Sequence, residues 1–242
     1  MLEKCRGIVL HVVNYSENSV VLKCYTDKFG MQSYMVSGVK GKKSSIKPSH
    51  LMPLSLLELE VYHQQNKGLQ RIKELKCWPV LQTLHFQMEK QTLAMFVSEV
   101  LSKCLREEDQ RDDSLFSYLF HTIQLLDLSE GSMVNFPNTF LLHLSKYLGF
   151  FPKENYNETF TDFSLQEGIF IANAPRTADY CNGETAKALA NLCQLNFEES
   201  GNLPIPSQVR RDLLQKLIRY YQLHLMMFGD LKSPAVLHEV LS

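Results

Sequence analysis

No C-x-x-C pair occurs anywhere in this chain of 242 residues, and its six cysteines are scattered from Cys5 to Cys193. In a chain this long such cysteines read as small, reduced core residues of a cytosolic protein. They offer no ligand spacing for zinc, so no metal is expected. No apolar run approaches the roughly 18 residues that cross a bilayer. After Lys4 and Arg6 only about seven apolar residues follow, with no small-residue cleavage site, so a secretory signal is not expected either. The eight histidines are spread out. None lies in H-E-x-x-H, and there is no G-x-S-x-G elbow. No catalytic residue and no cofactor are therefore assigned. Internal repeats and low-complexity tracts are also missing.

What is present is a division of charge. Residues 1–80 carry 12 Lys+Arg against 6 Asp+Glu, a net of +6, and residues 81–242 carry 13 against 20, a net of −7. With 45% hydrophobic residues the chain can bury a real core, so wholesale disorder is excluded. A small cationic module on a larger acidic one suggests a nucleic-acid grip joined to a protein-binding platform.

The basic part reads as strands. Gly7–Val13, Val20–Thr26, Gln32–Ser37, Leu54–Tyr62 and Leu69–Cys77 are short β-like runs separated by turn residues. In the fourth, Leu57, Leu59 and Val61 alternate with Glu58 and Glu60, the mark of one wet face. In the fifth, Ile72 stands on the opposite parity from Leu69 and Leu75, which a bulge would reconcile. Five strands in about eighty residues fit a small barrel of the oligonucleotide/oligosaccharide-binding (OB) type, with an SH3-like barrel as the competing arrangement.

Trp78-Pro79 marks a boundary, after which the apolar period changes from two to 3.6. Helices are expected near Phe86–Leu105, Ser114–Leu126, Pro137–Leu148 and Gly183–Leu195. Gly149 followed by Pro152 gives the third a glycine-then-proline exit. Phe160–Ile171 breaks the helical run and reads as a small inserted hairpin around Glu167-Gly168. Ser207 is expected to cap a helix reaching Phe228, and Ser233-Pro234 to open a closing helix. The expected fold class is α+β: residues 1–80 a five-stranded barrel, residues 81–242 a mainly helical domain.

The strongest local signal is Gly38-Val39-Lys40-Gly41-Lys42-Lys43-Ser44-Ser45-Ile46-Lys47. Glycines permit close backbone approach and lysines neutralise phosphates. It is not a P-loop, because Val36 stands where the first glycine belongs and Lys43 where Ser or Thr belongs. A solvated lysine loop is the plain alternative, but the setting in a net +6 module favours Lys40, Lys42, Lys43 and Lys47 as phosphate contacts. Arg6, Lys23 and Arg71 stand beside them. Of the interspersed aromatics Tyr15, Tyr25, Phe29, Tyr34 and Tyr62, most should be core. Tyr15 and Phe29, in turns, are the candidates for base stacking, worth roughly 1–3 kcal/mol per base. In the helical part, Arg210, Arg211, Lys216 and Arg219 form a basic patch that, beside Tyr220 or Phe228, could hold an acidic peptide ending in an apolar residue. The acidic string Glu107-Glu108-Asp109 with Asp112-Asp113 reads as a solvated helix connection, with a carboxylate metal site the remote alternative.

Several of these residues, in this order and spacing, are familiar. Gly7-Ile8-Val9-Leu10, Asn14-Tyr15-Ser16-Glu17, Val20-Val21-Leu22, Phe29-Gly30, Gly38-Val39-Lys40 and Lys43-Ser44 resemble the start of the bacterial DNA-repair family RecO. Tyr220-Tyr221-Gln222-Leu223-His224-Leu225 and Val236-Leu237-His238-Glu239-Val240-Leu241 are similar to the end of its Bacteroidetes-type members. The resemblance implies an N-terminal OB fold, a helical C-terminal domain and a cytoplasmic, nucleoid-associated protein. It also implies binding of single- and double-stranded DNA, annealing of complementary strands, and a part, with RecR, in loading RecA recombinase onto DNA coated by single-strand-binding protein (SSB), whose acidic C-terminal tail the family contacts. Many members carry a four-cysteine zinc module around the hairpin. Here residues 150–180 contain no cysteine, so zinc is not expected. The competing function is a protein-only adaptor whose barrel binds a peptide without DNA.

Overall fold

The computed structural model describes residues 1–39, 46–64, 67–107 and 110–240. The chain forms two compact units, Met1–Ser129 and Glu130–Ser242.

In the first unit, β1 (Leu2–Ser16), β2 (Ser19–Thr26), β3 (Gly30–Ser37), β4 (Leu56–Tyr62) and β5 (Leu69–Cys77) close a barrel in the order β1-β2-β3-β5-β4. All pairs are antiparallel except β3 with β5, where Met35 stands opposite Arg71. The five expected strands are thus all present, in an OB-type barrel. Its interior is filled by Val9, Leu22, Cys24, Tyr34, Leu57 and Leu59, among others. Register shifts tune the alternation. Between Val9↔Cys24 and His11↔Lys23 the register skips Leu10, which is why Cys5 and Val9 face inward on one side of it and Val12 on the other. On β5 the register passes from Glu60↔Glu74 to Val61↔Ile72. That bulge reconciles the parity of Ile72 with that of Leu75. Leu54 and Ser55 do not extend β4, contrary to expectation. Leu54 has φ +62° and is fully buried, with its N–H given to the Val9 carbonyl at 2.8 Å.

The helices α1 (Met88–Cys104) and α2 (Asp113–Leu128) belong to the barrel's unit. The change at Pro79 is a boundary of secondary structure, whereas contacts divide the chain after Ser129. The reason is visible in the bonds. Ser98 of α1 donates its hydroxyl to the Leu10 carbonyl on β1. Asp127 of α2 accepts the backbone N–H groups of Gln82, Thr83 and Leu84 at 2.7–2.8 Å. Tyr25 on β2 packs against Phe116 of α2, ring centroids 6.1 Å apart.

The second unit is built on α3 (Phe136–Tyr147), α4 (Gly183–Cys193), α5 (Phe197–Asn202), α6 (Ser207–His224) and α7 (Ser233–Val240), with a small sheet of β6 (Asp162–Ser164), β7 (Ile169–Ile171) and β8 (Tyr180–Cys181). The expected hairpin is β6–β7, and β8 adds a third strand on the other side of β6. Phe163 and Phe170 pack together at 4.9 Å, and Phe163 meets Tyr220 of α6 at 5.7 Å. Tyr220 and Tyr221 donate their hydroxyls to the Phe150 and Leu141 carbonyls at 2.6 and 2.7 Å. Three details differ from the sequence reading. Ser207 is the first residue of α6 and Pro206 its cap. The helix stops at His224, because Leu225 is extended. The short helix α5 carries an N-terminal signature, Asn196 capping Glu199 and Glu199 returning to Asn196, which the asparagine-then-glutamate spacing could have revealed.

Candidate nucleic-acid interface

Alternation along β2, β3 and β5 puts Val21, Lys23, Ser33, Met35, Leu69 and Arg71 on the outside of the barrel. In OB folds the outer side of strands 2 and 3, with the β1–β2 and β4–β5 loops, is where oligonucleotides bind. Here that face is divided. One half lies under the α1–α2 connection and α2: Tyr25, Met31 and Ser33 are only 3%, 4% and 8% exposed. The other half is open and carries Val13, Lys23, Met35 and Arg71, with Tyr62 of β4 opposite Arg71. Lys23 and Arg71 lie two strands apart, about 10 Å across the sheet.

The cations of this unit fall into two groups. On the outer side of β1, β4 and β5, Lys76 pairs with Glu58 at 2.7 Å and Lys73 with Glu60 at 3.1 Å. Lys28 pairs with Glu3 at 3.2 Å. Arg6, expected at a phosphate, is bound to Asp27 at 3.0 Å and lies over the rings of Phe116 and Phe120, 5.2 Å from each centroid. Its guanidinium is thus committed within the fold. Lys23, Lys47, Lys67 and Arg71 form no ion pair among the described residues. Charges without counter-ions are the ones a polyanion can use.

Lys40, Lys42 and Lys43 lie outside the described residues. Val39 and Ile46, the described residues on either side of them, pack against the barrel core. Gly38, at φ +81°, gives its N–H to the Asn18 carbonyl in the β1–β2 turn at 2.8 Å. Lys47 is exposed just before a 3-10 turn, Pro48–Leu51.

Of the two stacking candidates, Tyr15 is 67% exposed at the end of β1. Phe29 is not a free platform: it is half-buried, and its ring stacks on His63 at 3.9 Å. Tyr62, 49% exposed beside Arg71, is the aromatic that sequence reasoning left out of the site. Its outward parity in the run Leu57, Leu59, Val61 was the available signal. Gln70 was also missed. Buried inside the barrel, it accepts from the Gln64 N–H at 3.0 Å and donates to the Gln64 and Lys67 carbonyls, fixing the described part of the β4–β5 loop.

In the second unit the four basic residues of α6 separate. Lys216 donates to the Thr177 and Ala178 carbonyls at 3.1 Å and Arg219 to Asp179 at 2.8 Å. These two hold the loop before β8. Arg210 and Arg211 instead line a groove with Leu214, Ile218 and Leu237. Tyr220 and Phe228, the expected apolar neighbours, are 1% and 0% exposed and supply nothing to a ligand. The core takes Leu213, Leu217, Tyr220 and Tyr221, so Leu214 and Ile218 are left half-open in the groove. Burial holds Arg210 below its ordinary pKa, with Arg211 beside it. Asn138, 2% exposed, also lines the groove, and its side-chain carbonyl has no hydrogen-bond partner.

Among the described residues no three His, Cys, Asp or Glu side chains are grouped to hold a metal ion. Burial pushes the Cys5 and Cys181 thiols up to about 12, so both stay protonated at neutral pH.

A family model described as "Recombination protein O N terminal" matches residues 1–78, and one described as "Recombination protein O C terminal" matches residues 85–234. A protein of Phocaeicola vulgatus named DNA repair protein RecO is 36% identical over 243 residues, spanning 100% of both chains. Proteins of the same name from Azobacteroides pseudotrichonymphae and Bacteroides fragilis are 34% and 33% identical, each over 99% of both chains.

Proposed function

The chain belongs to the RecO family of DNA repair proteins, and from that premise we propose that it is a non-enzymatic recombination mediator. It binds single- and double-stranded DNA, anneals complementary strands and helps load recombinase onto DNA coated by SSB. The nucleic-acid grip is in residues 1–80 and the partner surface in residues 81–242.

The observation that carries this reading is the open half of the β2–β3–β5 face. Two cations that form no ion pair among the described residues, Lys23 and Arg71, lie there among the exposed aromatics Tyr15 and Tyr62. Charge that tracks a backbone beside rings that take bases is how single strands are held without sequence preference. Annealing then needs no catalytic group, only neutralised phosphates and two strands kept close. In this reading Lys40, Lys42, Lys43 and Lys47 are further phosphate contacts.

The groove of Arg210, Arg211, Leu214, Ile218 and Leu237 suits an acidic peptide that ends in an apolar side chain. We assign it to the SSB C-terminal tail. RecR is the direct partner and RecA an indirect one, in the bacterial cytoplasm at the nucleoid.

Salt-dependent binding of a labelled single strand tests the grip. The Lys23→Ala/Arg71→Ala variant should flatten the slope of log affinity against log salt by about 1.4, about 0.7 for each lost phosphate contact. The Lys73→Ala/Lys76→Ala variant, whose cations are already paired, should change it little. Equal effects of the two variants would refute the assignment of this face.

A further inference from the structure

Part of the β2–β3 outer face is covered where Glu107 and Asp112, between α1 and α2, meet it, and the contact at Glu107 is made by an anion. Ser33 on β3 donates its hydroxyl to the carboxylate of Glu107. Nearby the Tyr25 hydroxyl donates to the Asp112 carbonyl at 3.4 Å. Ser33 is 8% exposed beneath this cover, yet Glu107 itself is exposed and forms no ion pair among the described residues. Directly across the ladder from Ser33 stands Lys23, half-buried and in no ion pair among the described residues. The hydroxyl that holds this carboxylate oxygen thus has a lysine opposite it on the neighbouring strand. Hydroxyls and lysines are the groups that contact DNA phosphates. Glu107 also lines a cleft of about 680 Å³ with Lys28, Phe29, His63, Lys67 and Arg111, so the covered half of the face leads on to further cations.

We propose that Ser33, with Lys23 beside it, is a phosphate subsite of the barrel face, and that Glu107 is its internal occupant. DNA and the α1–α2 connection compete for it. The inference rests on the reading that this face binds DNA. It adds that the face is self-limited: strands first use the open half and gain the covered half only by displacing Glu107. The exchange of one anion for another on the same donor makes displacement cheap in either direction, which suits a mediator that must release the strand it has paired.

The test is binding of a labelled oligothymidylate across a salt series. Glu107→Ala, which vacates the subsite, should raise affinity severalfold and steepen the salt slope by about 0.7, one added phosphate contact. Glu107→Asp keeps the charge but draws the carboxylate back from Ser33, and should also bind more tightly. Adding Ser33→Ala to either variant should abolish the gain. Thermal melting of each variant checks that it is folded, and Glu107→Asp decides the matter if Glu107→Ala melts early. Unchanged affinity in Glu107→Asp, or a gain that survives Ser33→Ala, overturns the proposal by showing that Glu107 acts only as diffuse negative charge. Failure of the parent reading looks different: Lys23→Ala/Arg71→Ala would then leave binding and its salt slope untouched.

Discussion

Asp127 near the end of α2 accepts the backbone N–H of Leu84 at 2.7 Å, and its own carbonyl accepts the ammonium of Lys90 at 2.7 Å. Its carboxylate also takes the N–H groups of Gln82 and Thr83. One buried side chain thereby ties the strand-to-helix crossing at 82–84 to the far end of the second helix. Burial alone would raise the carboxyl's pKa, but the three backbone donors outweigh it and hold the group below its ordinary value.

Asp127→Ala should therefore lower the stability of the first unit by about 3 kcal/mol, since three buried donors lose their acceptor. A lowered folded value means the stabilisation is fully present above the unfolded carboxyl value of about 4 and disappears as pH falls through the folded one. Urea melts of the wild type and the variant should differ by a constant amount at pH 6–8, roughly, and the difference should shrink as pH falls below about 4. A difference that does not shrink there would contradict the latch.

Tyr15 and Phe29 should part company on substitution. Tyr15→Ala should weaken single-strand binding by about 1–3 kcal/mol without lowering the melting temperature. Phe29→Ala, which removes a ring stacked on His63, should lower the melting temperature and leave binding by the folded protein nearly intact. Fluorescence anisotropy and calorimetry on the same samples separate the two roles.

The groove on α6 should discriminate among its basic residues. Arg211→Ala and Ile218→Asp should each weaken binding of an acidic peptide with an apolar C-terminal residue about tenfold or more, through charge in the first and the apolar seat in the second. Arg219→Ala should spare peptide binding, because its guanidinium serves Asp179. Isothermal titration with the peptide reads this directly.

Gly168, in the β6–β7 turn, has φ +68°, and a Cβ there would stand 2.7 Å from the Tyr220 hydroxyl oxygen. Gly168→Ala should cost about 1–3 kcal/mol, from the left-handed backbone and from displacement of that hydroxyl from the Phe150 carbonyl. Tyr220→Phe should cost less, about 1 kcal/mol for one hydrogen bond. Tyr220→Phe in the Gly168→Ala background should relieve part of the strain, which a double-mutant cycle would show.

The amino-acid sequence alone determined the elements. Period-two alternation marked five strands, the misplaced parity of Ile72 required the β5 bulge, and the shift to period 3.6 after Pro79 announced the helices. These are local properties, set by side-chain direction and backbone preference within a few residues. The tertiary structure decided which charges are available. Arg6, Lys73 and Lys76 are as basic as Lys23 and Arg71, but the fold brings the first three against Asp27, Glu60 and Glu58 and leaves the last two in no ion pair among the described residues. It also decided that Glu107 meets Ser33 across 74 residues of chain, and that Arg210 and Arg211 part from Lys216 and Arg219. Coulombic neutralisation and burial depend on neighbours in space, and composition can count charges without knowing which of them face each other.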